Sequence, residues 1–229
     1  MRHAIYFVPA PQADLHRLGS LWLGRDATSG LPCINHLDPR LGEITAEARR
    51  YGFHGTLKPP FPLKDGASRA SLGLAVQRIA SQHHVVSAGV LEARIIDGFL
   101  ALVPQPQSPL LDDLAADCVR LLDEMRKPAG EAELARRRAA GLSPRQEANL
   151  LKWGYPYVFE DFRFHMTLSR RLSEAEAAWL LPMASAHFAP VIGRPLIIDA
   201  ISLVTEPEDG GDFLPEERLP LVTETLKAA

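Results

Sequence analysis

The chain has 229 residues, of which 46% are hydrophobic and 23% charged, and its net charge is −3 at neutral pH. This is enough apolar material for a sizeable core, and the slightly acidic balance argues against binding long nucleic acids by bulk charge. The two cysteines, Cys33 and Cys118, are too few for a disulfide framework or a zinc site. No apolar run has the length of a membrane span or the form of a signal peptide, so we expect a soluble, cytoplasmic protein without a membrane partner.

The first 50 residues predict a strand followed by a helix and a long loop. Residues 4–8 form an apolar run typical of a buried strand. The apolar spacing of residues 11–24 indicates a helix that opens at a proline and ends at a glycine. Residues 25–44 are rich in glycine and proline and are typical of a loop, and residues 45–50 favour a short helical turn.

The next segment predicts a strand, a helix and a hairpin. The strand covers residues 53–58 and is expected to end at Pro59-Pro60, because proline has no amide hydrogen to donate to a neighbouring strand. Ser68 is placed to begin a helix. Asp97-Gly98, flanked by apolar runs, is a hairpin turn signal.

The second half of the chain continues to mix helices with strands. Its helix starts are predicted at Ser108-Pro109 and at two capping boxes, Ser143 and Ser173. Its strands are predicted at residues 163–168 and 196–204, with an edge strand at residues 213–221. This interleaving predicts an α+β fold. No linker of distinct composition divides the chain, so we expect residues 1–229 to form a single domain.

One five-residue pattern occurs twice. Phe-His-x-Thr-Leu spans residues 53–57, which we call the first motif, and residues 164–168, the second motif. A single His-x-Thr would be a weak signal, but its repetition inside the same apolar frame is a strong one. Along a strand, the His and Thr side chains of each copy share one face, while Phe and Leu flank them on the other. The candidate catalytic residues are therefore His54, Thr56, His165 and Thr167.

These four side chains suit the cleavage of a phosphodiester. A neutral imidazole can take a proton from the attacking water or hydroxyl, and a protonated one can give a proton to the leaving oxygen. The pKa of histidine lies close enough to neutrality for both forms to be available. The threonine hydroxyls can donate hydrogen bonds to the phosphoryl oxygens. The chemistry assembled in this way needs neither a metal nor a cofactor.

The paired motifs resemble those of the 2H phosphoesterase superfamily. Residues 50–58 and 162–168 are similar to one bacterial branch, which is associated with phosphonate-metabolism operons and has no defined function. The resemblance covers most of the chain, although only the two motifs are specific. It implies a two-lobed α+β fold with pseudo-twofold symmetry, in which antiparallel sheets line a central groove and helices lie outside. It also implies a hydrolase that acts on a cyclic or 2′-linked ribose phosphodiester, with a ribose cyclic phosphate as the expected substrate of that branch.

Further side chains are candidates for substrate binding. Lys58 has the strand parity of the first motif's His and Thr, so it either holds a phosphate or marks an exposed strand end. Arg163 has the parity of the second motif's His and Thr and is a candidate cation at the opposite rim. Tyr51 is a candidate for stacking on a base or sugar, whereas Tyr6 is expected in the core. The run Arg136–Arg138 is typical of a solvated helix face, with a role in attracting phosphate as the alternative.

Several alternatives stay open at this point. The same groove would suit an RNA-end ligase or cyclic phosphodiesterase acting on RNA, although the acidic balance favours a small nucleotide or phosphodiester. A non-catalytic nucleotide-binding module is the alternative of another class. The remaining histidines, among them His36, show no metal-ligand spacing. The pattern does not indicate which His is the acid, or the oligomeric state.

Overall fold

The computed structural model describes residues 1–34 and 37–223, so His36 lies outside the described residues. Within them the chain forms eight β-strands and eight α-helices. The strands are β1 (Arg2–Phe7), β2 (Gly55–Phe61), β3 (Val86–Ile96), β4 (Phe99–Gln105), β5 (Met166–Arg171), β6 (Pro195–Ile198), β7 (Ala200–Glu206) and β8 (Leu214–Pro220). The helices are α1 (Asp14–Leu23), α2 (Leu41–Ile44), α3 (Ala46–Tyr51), α4 (Arg69–Gln82), α5 (Pro109–Leu121), α6 (Glu131–Arg138), α7 (Pro144–Trp153) and α8 (Glu174–His187).

All eight strands belong to one antiparallel sheet, which confirms the predicted α+β class. Their order across the sheet is β6-β3-β4-β5-β2-β1-β7-β8. In the described part of the chain, β2 and β5 are paired only through Gly55 and Met166. The sheet therefore consists of two four-stranded halves, and the two predicted lobes correspond to these halves rather than to separate sheets.

The helices tie the two halves together. In the first half, α4 packs on β7 and β8, and in the second half α8 packs on β3 and β4. Three further helices cross between the halves: α5 contacts both β2 and β3, and α1 and α3, which precede β2 in the chain, contact β5. None of the helices among the described residues is long and apolar enough to cross a bilayer.

Most of the predicted helix boundaries are confirmed by local capping. Ser68, Ser143 and Ser173 each accept a hydrogen bond from a backbone amide in the first turn of the helix that follows. Gly24 ends α1 with a φ of 74°, as a left-handed helix cap does. The predicted start of α1 at Pro11 is wrong, because Ala13 is still extended and the helix begins at Asp14.

Two strand boundaries differ from the prediction. The strand β2 continues through Pro59 and Pro60 to Phe61. Beyond Gly55 the described strands include only β1 as its partner, so its other edge needs no amide donors and tolerates proline. The strand predicted over residues 196–204 is split at Asp199, because β6 pairs with β3 whereas β7 pairs with β1 and β8.

Candidate functional site

The two motifs meet at the centre of the sheet. His54 directly precedes β2, and His165 directly precedes β5. Gly55 and Met166, the middle residues of the motifs, form the pair that joins the two halves. The topology thus brings together two segments that lie far apart in the sequence.

The two imidazoles are held in the same way. Nδ1 of His54 lies 2.8 Å from the carbonyl oxygen of Gly52, and Nδ1 of His165 lies 2.8 Å from that of Arg163. Since a carbonyl only accepts hydrogen bonds, Nδ1 of each ring carries the hydrogen and donates it. In both histidines Nε2 is therefore the atom available for proton transfer.

The threonines follow their histidines at the same offset. Oγ1 of Thr56 lies 3.1 Å from Nε2 of His54, and with Nδ1 protonated the hydroxyl is the donor. This contact requires both side chains to lie on one side of the strand. Thr167, two residues after His165, is half-buried and pairs with Ala101 of β4.

The apolar residues of the motifs anchor this arrangement. Phe53 and Leu57 of the first motif are buried, as are Phe164 and Leu168 of the second. A Cβ atom on Gly55 would overlap the Phe164 ring. A side chain at the middle residue of the first motif would therefore displace the phenylalanine of the second motif, which packs directly onto the glycine backbone.

The surroundings separate the pKa values of the two histidines. Burial lowers the pKa of His54 to about 4, against the hydrogen bond to the Gly52 carbonyl, and the charge of His165 lowers it further. Burial also lowers the pKa of His165, but its hydrogen bond to the Arg163 carbonyl and the nearby charge of Asp97 oppose that shift. The pKa of both histidines is therefore lower than that of an ordinary surface histidine, and that of His54 is lowered more.

A cavity of about 720 Å³ opens beside the motifs, and we call it the first cavity. Thr56 of the first motif and His165 of the second both line it, with Arg163 exposed at its edge. Its wall includes Phe159, whose φ of 55° is uncommon for a residue other than glycine. The lining also includes Asp97, Arg145, Gln146, Tyr155, Tyr157, Asp161 and Arg171.

The motifs do not identify five charged residues of this lining, which are Asp97, Arg145, Glu160, Asp161 and Arg171. Asp97 was assigned only to a turn, and Arg171 lies at the end of β5 beyond the motif. Arg163 and Arg171 form no ion pair with the described residues, whereas Arg145 is paired with Asp161 through contacts of 2.7 and 2.9 Å. The pairing of Phe99 with Arg171 between β4 and β5 brings Arg171 close to the Asp97 turn. No local sequence pattern predicts this proximity.

Lys58 does not lie where strand parity predicted. Ile5 of β1 pairs with Lys58 but Tyr6 pairs with Thr56, so Leu57 is an extra residue in β2, a β-bulge. The bulge breaks the alternation, and Lys58 is only 2% exposed, with Nζ donating to the carbonyl of Val119 at 3.2 Å. It lines a second cavity and not the first.

Tyr6 and Tyr51 both lie near His54, in different surroundings. Tyr6 is buried as predicted, but its ring stacks on His54 with a centroid distance of 3.8 Å. Tyr51 stacks instead on Phe213 at 4.8 Å and lies 6.3 Å from His54 at a tilted angle. Tyr6 is thus the ring stacked on the His54 imidazole, and Tyr51 is half-buried against Phe213.

The arginine run of α6 is largely neutralised by its neighbours. Arg136 and Arg137 both pair with Glu133, and Arg138 pairs with Glu147 of α7. Arg137 also lies over the Tyr155 ring at 4.7 Å. Among residues 1–34 and 37–223, no group of three or more His, Cys, Asp or Glu side chains is arranged to hold a metal ion.

Two curated proteins match nearly the whole chain. A protein of Janthinobacterium sp. (strain Marseille) named ribose 1,5-bisphosphate phosphokinase PhnN is 39% identical over 231 residues, covering 96% of this chain and 50% of its own length. A protein of the same name from Laribacter hongkongensis (strain HLHK9) is 34% identical over 215 residues, covering 93% of this chain and 50% of its own length. The chain therefore spans about half the length of the curated relatives it matches.

A structural likeness and a family model complete the comparison. A solved structure described as the crystal structure of a phosphoesterase superposes with a TM-score of 0.46 at 14% sequence identity, covering 96% of this chain and 98% of that one. That likeness is too distant to indicate function. The model of the family DUF1045, described as proteins of unknown function, matches residues 56–214, well over half of the chain. The protein belongs to the DUF1045 family.

Proposed function

We propose that the protein is a phosphodiesterase of the 2H type that opens a cyclic phosphodiester on ribose. The observation that carries the proposal is the matched pair of histidines, His54 and His165. Each uses Nδ1 to bind the carbonyl two residues earlier and leaves Nε2 for proton transfer. His165 lines the first cavity, and Nε2 of His54 contacts the hydroxyl of Thr56, which also lines it. Two imidazoles of the same tautomer are what an acid–base pair requires.

In the proposed reaction, His54 is the base and His165 is the acid. His54 has the lower pKa and is neutral at neutral pH, so its Nε2 can take a proton from water as the oxygen attacks phosphorus. His165, whose protonated form Asp97 favours, gives the proton on Nε2 to the sugar oxygen as its bond to phosphorus breaks. Cyclic diester and water thereby become a phosphate monoester and a free hydroxyl.

The phosphoryl oxygens have candidate hydrogen-bond donors on both motifs. The Thr56 hydroxyl, now bound to His54 Nε2, can turn to a phosphoryl oxygen when substrate enters, and Thr167 has the same offset from His165. Arg163 and Arg171, which lack ion pairs among the described residues, supply positive charge on the first cavity. All four groups act without a metal ion.

The names of the relatives are consistent with a ribose phosphate as substrate. Both are named as kinases of ribose 1,5-bisphosphate, and this chain matches one half of their length. Opening a cyclic phosphate on ribose yields a ribose phosphate monoester, the class of compound that such a kinase takes. Gly-x4-Gly-Lys-Ser/Thr, the phosphate-binding signature of many kinases, does not occur in this sequence.

The proposal is tested by hydrolysis of a panel of cyclic ribose phosphates in the presence of a chelator. We expect wild-type activity to survive chelation. His54→Ala and His165→Ala should each lower kcat/KM by about 10²–10⁴-fold, the contribution of a positioned acid or base. The matched control is His84→Ala, an exposed histidine that lines neither cavity.

Three outcomes would contradict the proposal. Activity that the chelator abolishes would require a metal ion, and activity that survives the double change at His54 and His165 would place the chemistry elsewhere. Tight nucleotide binding without turnover would favour a binding module.

A further inference from the structure

A second cavity of about 400 Å³ adjoins the first. The two cavities share four lining residues, Pro59, Val119, Tyr155 and Val158. Only these shared residues, and no further layer of buried side chains, lie between the described walls of the two cavities. A ligand held at the motifs in the first cavity can therefore extend toward the second.

Lys58 is a buried cation on the wall of the second cavity. Within the part of the chain that the structure describes, its ammonium donates one hydrogen bond, to the carbonyl of Val119, and lies 5.0 Å from the centroid of the Phe61 ring. An ammonium has three donor hydrogens. Within the described residues no carboxylate lies close enough to form an ion pair with it, although Asp123 is near enough to act on its charge. A buried charge without a counter-ion is costly unless a ligand supplies one.

The remaining charges on this wall do not compensate Lys58. Arg2 is bound by Glu206 and Arg126 by Asp123, so these two guanidinium groups are already paired. Among the described residues of the lining, Glu133 is the acidic one, and it binds Arg136 and Arg137 of its own helix. Lys127 adds a second lysine at the exposed rim, also without an ion pair among the described residues. The second cavity therefore has an excess of positive charge.

We propose that the second cavity binds a second phosphate group of the substrate, with Lys58 as its principal ligand. This inference rests on the proposed function and narrows it: the substrate is a cyclic ribose phosphate that also carries a phosphate monoester elsewhere on the sugar. The cyclic diester occupies the first cavity beside Thr56 and His165, and the monoester extends past Pro59 and Tyr155 to the ammonium. The monoester supplies the counter-charge that the protein does not provide.

The test compares two substrates that differ by one phosphate, adenosine 2′,3′-cyclic phosphate and the same compound phosphorylated at the 5′ oxygen. We expect the 5′-phosphate to raise kcat/KM of the wild type by roughly tenfold or more, as hydrogen bonds between charged groups do. Lys58→Met, which keeps the length of the side chain and removes its charge, should bring the ratio between the two substrates close to one. Lys64→Met, at an exposed lysine that lines neither cavity, should keep the wild-type ratio.

Two further measurements test phosphate binding in the second cavity independently of whether the protein cleaves a cyclic phosphodiester. Thermal unfolding at neutral pH should show that Lys58→Met is at least as stable as the wild type, because an uncompensated buried charge is removed. Calorimetric titration measures the binding of both compounds without need of turnover. Tighter binding of the 5′-phosphorylated form by the wild type, lost in Lys58→Met, supports the second cavity even if neither compound is cleaved.

Equal kcat/KM and equal binding of the two compounds by the wild type would overturn the inference, while cleavage of both would leave the proposed function intact. A preference that persists in Lys58→Met would also overturn it, since the phosphate would then be bound elsewhere.

Discussion

His54 and His165 each donate a hydrogen bond from Nδ1 to a backbone carbonyl, but their electrostatic environments differ. Tyr6 covers one face of the His54 ring, and burial is the largest influence on its pKa. His165 has Phe99 as its aromatic neighbour, with ring centroids 5.3 Å apart, and the exposed carboxylate of Asp97 within electrostatic range. The pKa of His54 is thus lowered more than that of His165, in keeping with the proposal that His54 is the base and His165 the acid.

This assignment predicts a rate optimum on the acidic side of neutrality. The profile of kcat/KM reports the pKa values of the free enzyme. Activity should rise as His54 loses its proton, with a midpoint at about 4, and fall as His165 loses its own, at a pH below the ordinary 6.5. In Asp97→Asn the charge that favours protonated His165 is gone, so the descending limb should move to lower pH while the ascending limb stays.

The change at Asp97 suits this measurement because its backbone tolerates it. Asp97 has a φ of 48°, and asparagine adopts this left-handed conformation as readily as aspartate. Asp65→Asn, at an exposed turn residue that lines neither cavity, is the control and should leave both limbs in place. A descending limb that does not respond to Asp97→Asn would mean that His165 is not the group whose proton is lost.

For single residues, the sequence predicts those side-chain positions that depend only on the alternation of faces along a strand. The positions of His54 and Thr56 on one face, between buried Phe53 and Leu57, follow from the five letters of the motif. The position of Lys58 does not, because the bulge at Leu57 exists only in the pairing of β2 with β1.

At the scale of elements, the site depends on how β2 and β5 approach each other. The first motif carries glycine where the second carries methionine, and the Phe164 ring fills the space that a side chain at Gly55 would occupy. The two copies of the motif are therefore complementary rather than equivalent. Their shared letters predict two similar strands, but nothing in them predicts that the strands are direct neighbours.

Gly55→Ala should disturb this junction. The added methyl group overlaps the Phe164 ring, which has to move away from the pair formed by Gly55 and Met166. Overpacking of this kind lowers the free energy of unfolding by about 1–3 kcal/mol. Urea denaturation measures this loss, and the displaced histidines should lower kcat/KM in the same variant.

The matched control is Gly42→Ala in α2. Among residues 1–34 and 37–223, and apart from its chain neighbours and the backbone of its own helix, no atom lies within 4 Å of a Cβ added at Gly42, so a methyl group there is free of clashes with them. Its free energy of unfolding should stay the same or rise by a few tenths of a kcal/mol, as glycine replacements in helices do. Equal stability of the two variants would show that the Phe164 contact does not constrain Gly55.

At the scale of the whole molecule, the crossing helices compensate for the narrow junction of the sheet. A single residue pair between β2 and β5 would hold two halves together weakly, yet α5 contacts strands of both halves and α1 and α3 reach β5. The sequence predicts the α+β class from the order of its elements, but it does not predict this crossing. Which half a helix covers is decided by the tertiary packing of its apolar face, and no local pattern carries that information.

One hydrogen bond between the halves offers a direct test of the expected single domain. Trp22 on α1 is fully buried, and its indole nitrogen donates to the carbonyl of Leu168 on β5 at 2.9 Å. Trp22→Phe leaves that carbonyl without this donor, and an unsatisfied buried group costs about 1–3 kcal/mol. Because the helices join the halves, we expect the whole chain to unfold in one transition that shifts to lower urea concentration, with circular dichroism and the fluorescence of the remaining tryptophans changing together.

Trp179→Phe, at a half-buried ring on α8 that Arg40 covers at 3.9 Å, should shift the transition less. Two separate transitions in the wild type would show instead that each half of the sheet folds as its own unit.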